Sequence, residues 1–100
     1  MNVIKRAPLE AFWTFHADAD DELRDWYTVA SKAPWQTPHE VKQDFPSADP
    51  IGDGRMVFNI RGNSYRLIVR IVYRFKAIQI KWLGTFAEYA RIDAHTIDAY

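Results

Sequence analysis

The side chains whose type and spacing could do chemistry are seven cations in the second half of this 100-residue sequence. They fall within a stretch that contains no Asp or Glu: Arg55, Arg61, Arg66, Arg70, Arg74, Lys76 and Lys81. Residues 1–54 carry 5 Lys and Arg against 10 Asp and Glu, whereas residues 55–100 carry 8 against 3. This asymmetry indicates an anionic partner for the second half. Phosphate fits best, because a guanidinium group contacts it through two parallel hydrogen bonds.

The elements that must position these cations are β-strands. From Arg55 the apolar period changes from helical spacing to alternation, in three runs at 55–60, 64–74 and 77–84. Gly62-Asn63 is a hairpin signal. A two-residue loop there pairs Arg55 with Arg70 and Asn59 with Arg66, with Val57 opposite Ile68 between them, and these side chains lie on one face. The other face is apolar throughout and is expected to cover the helices.

A second hairpin is expected to close over Phe75-Lys76. It would set Lys81 opposite Arg70 and Thr85 opposite Arg66, and would turn Trp82 toward the apolar face. The polar face is then a basic platform, interpreted as a phosphate site. The alternative is a solvated face whose charges spread into water or are neutralised by the acidic start of the second helix.

The first half of the chain is predicted to be helical. A short strand at residues 2–5 precedes a helix from Pro8 to His16, and a second helix runs from Asp18, its expected N-cap, to Lys32. A brief third helix follows Thr37 and ends at Phe45. Residues 46–54 read as a loop, residues 85–92 as a short helix, and the last eight residues as loosely held.

Other chemistry has weaker support. The three histidines (His16, His39 and His95) have no ligand spacing and there is no cysteine, so we expect neither a metal nor a cofactor. The acidic cluster at residues 18–25 is explained by helix capping, and the four tryptophans by the core, although the role of Trp35 is open. No apolar run is long enough for a signal peptide or a membrane span. We expect one cytoplasmic domain over residues 1–100.

The segment V-F-N-I-R-G-N-S-Y-R-L-I at residues 57–68 resembles the HigB toxins of type II toxin–antitoxin systems. The segment G-T-F-A-E-Y at residues 84–89 and the early Ala11-Phe12-Trp13 also match that family's layout. The likeness covers about residues 3–97. It implies an α+β fold of the RelE-like kind, a small antiparallel sheet with two N-terminal helices packed on one face.

The resemblance also implies a function. It implies an mRNA endonuclease that acts on the ribosome without a metal ion and is held inactive by a HigA-type helix-turn-helix antitoxin. Arg66 corresponds to the strand arginine that acts on the scissile phosphate, with Tyr89 and Lys81 as further catalytic candidates. The expected RNA contacts are Asn59, Arg61, Asn63, Arg70 and Phe86.

This sequence departs from the family pattern at two positions. The family usually has His where this chain has Phe86, and Asp where it has Ala90. Proton transfer would then fall to Tyr89, Lys81 or His95, and Phe86 would instead stack on an unpaired base. A non-catalytic RNA-binding module and an interaction protein that binds an acidic peptide on the same face remain the alternatives.

Overall fold

A computed structural model describes residues 1–100 as an α+β fold with four α-helices and one five-stranded sheet. The elements are β1 (Asn2–Val3), α1 (Ala7–Phe15), α2 (Asp20–Lys32), α3 (Pro38–Asp44), β2 (Asp49–Gly52), β3 (Arg55–Ile60), β4 (Tyr65–Val72), β5 (Ala77–Thr85) and α4 (Phe86–Tyr89). Short 3-10 turns at Ala17–Ala19 and Tyr73–Phe75 precede α2 and β5. The predicted fold class is confirmed. No helix in the chain combines the length and the apolar character that crossing a membrane requires.

The sheet has the strand order β1-β5-β4-β3-β2, and it is mixed rather than wholly antiparallel. β1 pairs with β5 in parallel, through Asn2 opposite Ala77 and Val3 opposite Ile78, and the other pairs are antiparallel. The predicted N-terminal strand is therefore present. It forms one edge of the sheet and runs parallel to β5, whereas the predicted sheet was antiparallel throughout.

The hydrophobic core lies between one face of this sheet and the helices α1 and α2. Leu9 of α1 and Leu23 and Trp26 of α2 pack in one cluster with strand residues such as Phe58 and Leu67. The amphipathic spacing of both helices predicts this arrangement. Trp35 also belongs to the core, and its indole Nε1 donates to Asp44 Oδ2 at 2.9 Å.

The register of the first predicted hairpin is confirmed. Ile60 lies opposite Tyr65, Asn59 opposite Arg66 and Arg55 opposite Arg70. The connection spans residues 61–64, and its left-handed residues are Arg61 (φ 51°) and Gly62 (φ 61°). Alternation along β3 and β4 fixes this register, because a slip by one residue would turn every arginine into the core.

The predicted register of the second hairpin is wrong. Arg70 lies opposite Gln79 rather than Lys81, and Arg66 lies opposite Gly84 rather than Thr85. The 3-10 turn at Tyr73–Phe75, closed by Lys76 at φ 52°, shifts the pairing by two residues. An irregularity between Ile68 and Val69 then reduces this shift to one residue over the rest of the hairpin.

Trp82 is consequently not on the helix-covered face. It pairs with Ile68, which is fully buried but lies outside the cluster that packs against the helices. Val57 is the cross-strand partner of Ile68 and is buried in the same way. An apolar row therefore crosses the middle of the face that was predicted to be a basic platform.

Three further predictions need correction at element ends. Residues 49–52 form β2, an edge strand that accommodates Pro50, where a loop was expected. Ala19, not Asp18, is the N-cap of α2, because the Asp18 carboxylate accepts a hydrogen bond from the Tyr65 hydroxyl instead. Helix α4 ends at Tyr89, three residues earlier than expected.

The last eight residues are held against the sheet and are not loose. The guanidinium Nη1 of Arg55 donates to the carbonyl oxygens of Ala94 (3.1 Å) and Ile97 (2.8 Å). The backbone N–H of Ala99 donates to the carbonyl of Lys81 at 2.8 Å. The C-terminal segment, residues 90–100, therefore covers part of the sheet face opposite α1 and α2.

Candidate functional site

Arg66 on β4 is the centre of a cluster at the hairpin end of the sheet. Its Cζ atom lies 5.1 Å from the ring centroid of Phe86 and 5.8 Å from that of Tyr89. Nη1 donates to the carbonyl of Asn63 at 3.3 Å, and Nη2 donates to Asn63 Oδ1 at 3.4 Å. We call Arg66, Asn63, Phe86 and Tyr89 the arginine site. These residues come from one hairpin loop, one strand and one helix.

Helix α4 brings the two aromatic rings to Arg66. Phe86 and Tyr89 are three residues apart, so they project from the same side of a helix. A capping box begins the helix: the Thr85 hydroxyl accepts from the Glu88 N–H, and Glu88 Oε1 accepts from the Thr85 N–H at 2.8 Å. The N–H of Phe86 also donates to the carbonyl of Ser64 at 3.0 Å, which fastens the helix to the hairpin loop.

Gly84 makes room for this arrangement beside Arg66. A Cβ atom at Gly84 would lie 2.4 Å from Cη2 of Trp82, so the indole ring passes directly over the glycine. The ring of Trp82 in turn lies 6.2 Å from that of Tyr89. The aromatic wall of the arginine site therefore continues from α4 onto β5.

Arg66 differs from the other predicted phosphate ligands because it has no carboxylate partner. Arg61 pairs with Asp18 at 3.5 Å, Arg70 with Asp53 at 3.7 Å, and Lys81 with Asp98 at 3.3 Å. Each acid comes from a different segment: the turn before α2, the β2–β3 turn and the C-terminal segment. Three of the seven cations between Arg55 and Lys81 are thus held in separate local ion pairs.

The structure brings together four of the eight predicted site residues, places a fifth beside them and separates the other three. Asn59 is the cross-strand neighbour of Arg66. Arg61 turns toward α2, where its N–H also donates to Glu22. Lys81 lies three residues along β5 from Gly84, about 10 Å at the rise of a strand, and Arg70 lies still farther along β4. Neither belongs to the arginine site.

Sequence reasoning assigned Asp18 to helix capping and missed it as a positioning residue. Asp18 Oδ1 accepts from the Tyr65 hydroxyl at 2.6 Å, and this bond to a carboxylate, with burial, raises the pKa of Tyr65. Glu88 is fixed by Thr85, as the capping-box sequence T-F-A-E at residues 85–88 predicts. The N–H and hydroxyl of Thr85 hold the pKa of the Glu88 carboxyl below its usual value. The chain has no group of three or more His, Cys, Asp or Glu side chains that could hold a metal ion.

The fold and this cluster describe a small α+β protein that presents one shielded arginine where a hairpin meets a short helix. Comparison with protein-family models identifies its class. Residues 19–92 match the HigB toxin family, described as the RelE-like toxic component of a toxin–antitoxin system. The match spans most of the 100 residues, so the chain belongs to this family. No curated protein matches the sequence. Membership implies a toxin role and an antitoxin partner.

Proposed function

We propose that this toxin is an endoribonuclease that cleaves mRNA, in the cytoplasm and on the ribosome, through the arginine site. The observation that carries the proposal is Arg66: it is only 8% exposed, it has no carboxylate partner, and two aromatic rings flank it. A guanidinium group that no acid neutralises in such a sheltered place is suited to stabilising charge on a phosphate.

The reaction that fits these groups is attack by the ribose 2′-OH on the adjacent phosphorus. The new bond joins O2′ to phosphorus, the bond from phosphorus to O5′ breaks, and the products are a 2′,3′-cyclic phosphate and a 5′-hydroxyl. The nucleophile and leaving group both belong to the RNA, so this chemistry requires no metal ion. In this scheme Arg66 stabilises the charge on the pentavalent phosphate, and the Asn63 amide helps to orient it.

We assign Tyr89 to donate a proton to the leaving O5′, while water accepts the proton of the 2′-OH. A phenol hydroxyl donates and accepts protons, and Tyr89 lies on the same helix side as Phe86, next to Arg66. Lys81, the other catalytic candidate, is held by Asp98 away from the arginine site, and this geometry favours Tyr89. Arg61 and Arg70 then contact, at most, RNA phosphates away from the scissile one.

Phe86 is the residue we assign to substrate entry. Its ring is 55% exposed although it covers a guanidinium that is almost completely buried. Rotation of this ring away from Arg66 opens the guanidinium to a phosphate, and the freed ring can stack on an unpaired base. Stacking of this kind is worth about 1–3 kcal/mol per base.

The test is cleavage of a message on translating ribosomes, followed by analysis of the product ends. Cyclic phosphate and 5′-hydroxyl ends support the proposal, whereas 3′-hydroxyl ends with 5′-phosphates contradict it, because they require attack by water. Copurification with a helix-turn-helix protein encoded beside the toxin gene tests the proposed HigA-type antitoxin.

A non-catalytic RNA-binding module is the second candidate, and Phe86 favours it because an aromatic ring occupies the position of the family's usual histidine. Binding without cleavage would identify this module. Each phosphate that the protein neutralises on a single strand contributes a slope of about −0.7 to log K against log salt. Because three of the cations are already paired, we expect a shallow slope. A flat response would contradict phosphate binding in both candidates.

A further inference from the structure

A second group of cations lies at the opposite end of β4 from the arginine site. A cleft of about 710 Å³ opens between the end of α2 and the turn that joins β4 to β5. Its lining includes Lys32, Arg74 and Lys76, together with Trp35 and Tyr73. We call it the basic cleft. β4 runs from Tyr65 to Val72, so at the rise of a strand the two sites are roughly 20 Å apart.

The charge of the basic cleft is unbalanced. No Asp or Glu lines it, and Lys32, Arg74 and Lys76 form no salt bridge. This contrasts with Arg61 and Arg70 on the strands, which each have an acidic partner. Three cations that face one concavity without a counter-charge repel one another, and an anion of several charges would relieve that repulsion.

Nearby carboxylates do not neutralise the basic cleft. Asp44 of α3 accepts a hydrogen bond from the Trp35 indole at 2.9 Å, and Glu40 helps to raise the pKa of Tyr73, after the larger effect of burial. Neither of these acids lines the cleft. The Tyr73 hydroxyl oxygen is buried and has no partner, so Tyr73 contributes its ring to the wall.

The shape of the basic cleft suits a small polyanion. Its volume lies within the roughly 300–1,000 Å³ of sites that enclose small molecules. Lys76 is held at φ 52° by the turn, and its N–H donates to the Tyr73 carbonyl at 3.0 Å. The turn thereby places Lys76 beside Arg74 on the rim. Arg74 offers a guanidinium fork to a phosphate, while the two lysines act as point charges.

We propose that the basic cleft binds the phosphate groups of a nucleotide, either a free nucleoside triphosphate or one unit of an RNA strand. A triphosphate concentrates several negative charges within a volume that three cations can surround, whereas a single carboxylate does not. The site is separate from the arginine site. Its binding therefore does not depend on whether the protein cleaves RNA.

The experiment compares two double variants that each remove two positive charges. Lys32→Gln/Arg74→Gln removes them from the cleft, and Lys5→Gln/Arg24→Gln removes them from exposed positions outside it. Binding is measured by calorimetry at fixed ionic strength with ATP, with citrate, and with a 12-nucleotide RNA whose 2′-O-methyl groups prevent cleavage. Thermal melting of each variant establishes that it is folded.

We expect the cleft variant to bind ATP or the RNA about tenfold more weakly than the parent, as the loss of two charge-assisted contacts implies. The control variant should bind as the parent does. Amide resonances of Lys32–Gln36 and Tyr73–Lys76 should shift on binding. A third variant, Lys76→Asn, keeps a residue that tolerates left-handed backbone and should weaken binding less than the double variant.

The ATP and RNA measurements show whether the phosphate groups that bind the basic cleft belong to a free nucleotide or to an RNA strand. Loss of ATP binding alone identifies a free nucleotide as the ligand, and loss of RNA binding alone identifies the strand. Equal losses in the cleft and control variants, equally tight binding of citrate, or resonance shifts confined to the arginine site would each overturn the proposal. An inactive enzyme with an intact cleft would contradict the proposed function and leave this inference standing.

Discussion

Arg55 and Arg66 lie on the same sheet face, on neighbouring strands, and each is 8% exposed, yet their surroundings are opposite. Arg55 donates to two backbone carbonyls of the C-terminal segment, at 2.8 and 3.1 Å. Arg66 makes longer contacts, at 3.2–3.4 Å, with its own hairpin and is flanked by two rings. Equal burial therefore does not imply an equal role.

The difference lies in what covers each guanidinium. Arg55 is covered by backbone whose carbonyls it satisfies, so releasing it would leave polar groups unpaired. Arg66 is covered on one side by the ring of Phe86, a side chain that is itself exposed. Arg55 is thus tied to the C-terminal segment, while the cover of Arg66 leaves it free for the phosphate contact that we propose.

The largest expected effect is that of Arg66→Ala on cleavage. Removing one preorganised donor from a developing negative charge costs about 10²–10³ in rate. Growth arrest on induced expression should disappear, while the melting temperature changes by only a few degrees. Arg66→Lys keeps the charge but loses the two-pronged contact, so it should recover part of the activity at most. Full toxicity of Arg66→Ala would show that this residue is not the catalytic group.

Arg55→Ala should give the reverse pattern. Loss of two hydrogen bonds from a charged donor is expected to cost about 2 kcal/mol in the free energy of unfolding, which corresponds to a melting temperature lower by about 10 °C. Hydrogen exchange should rise in residues 90–100 first, because the C-terminal segment loses its attachment. Cleavage per folded molecule should stay close to that of the parent. Unchanged stability would remove the contrast between the two arginines.

Arg55 and Arg66 also show which features of the site could be predicted from the sequence and which could not. Pairing of Asn59 with Arg66 and of Arg55 with Arg70 followed from alternation and one turn signal, and the structure agrees. The cover over Arg55 did not follow, because residues 93–100 have little periodicity. The predicted register places Val57 opposite Ile68 between polar neighbours on that face, and two buried apolar residues there require something to cover them.

The second hairpin could not be predicted for a different physical reason. Tyr73–Lys76 contains no Gly, Asn or Pro, so its sequence does not specify a turn type. A 3-10 turn with Lys76 in the left-handed region resulted, and it displaced Lys81 from Arg70. The ion pairs that divide the basic run are equally non-local, since Asp18, Asp53 and Asp98 are distant in sequence from their partners.

The next largest effect is expected for Phe86→His, which tests whether a proton carrier beside Arg66 raises the rate of cleavage. An imidazole at this position lies next to the guanidinium and titrates near neutrality, so it supplies a proton carrier that the parent lacks. We expect cleavage to rise about tenfold, below the usual 10²–10⁴ for a positioned acid or base. The rate should also gain a pH dependence near pH 6.5.

Phe86→Ala is the matched control for this variant, because it uncovers Arg66 without adding a titrating group. A similar gain in both variants would mean that uncovering the arginine, and not proton transfer, limits the reaction. If instead Phe86→His changes nothing and Tyr89→Phe abolishes cleavage, proton transfer belongs to Tyr89 alone.

The smallest expected effect concerns the cap that holds α4 over Arg66. Hydrogen bonds from Thr85 hold the pKa of Glu88 below its ordinary value of 4.5 in the folded protein. A lowered folded-state pKa contributes stability above the unfolded value, and that stability is lost as the pH falls through the folded value. Between pH 6 and pH 3 the parent should therefore lose more stability than Glu88→Gln, whose cap does not titrate.

The expected difference is small because Glu88 is exposed: about 0.5 kcal/mol, the lower end for helix caps, or a few degrees in melting temperature. The lowered pKa of Asp93 acts in both proteins and cancels in their comparison. Hydrogen exchange at Thr85 and Phe86 should report the loss locally, whereas exchange in residues 94–99 should not differ between the two proteins, because Arg55 holds that segment through backbone carbonyls. Equal acid sensitivity of both proteins would show that the Glu88 cap does not secure the aromatic cover of Arg66.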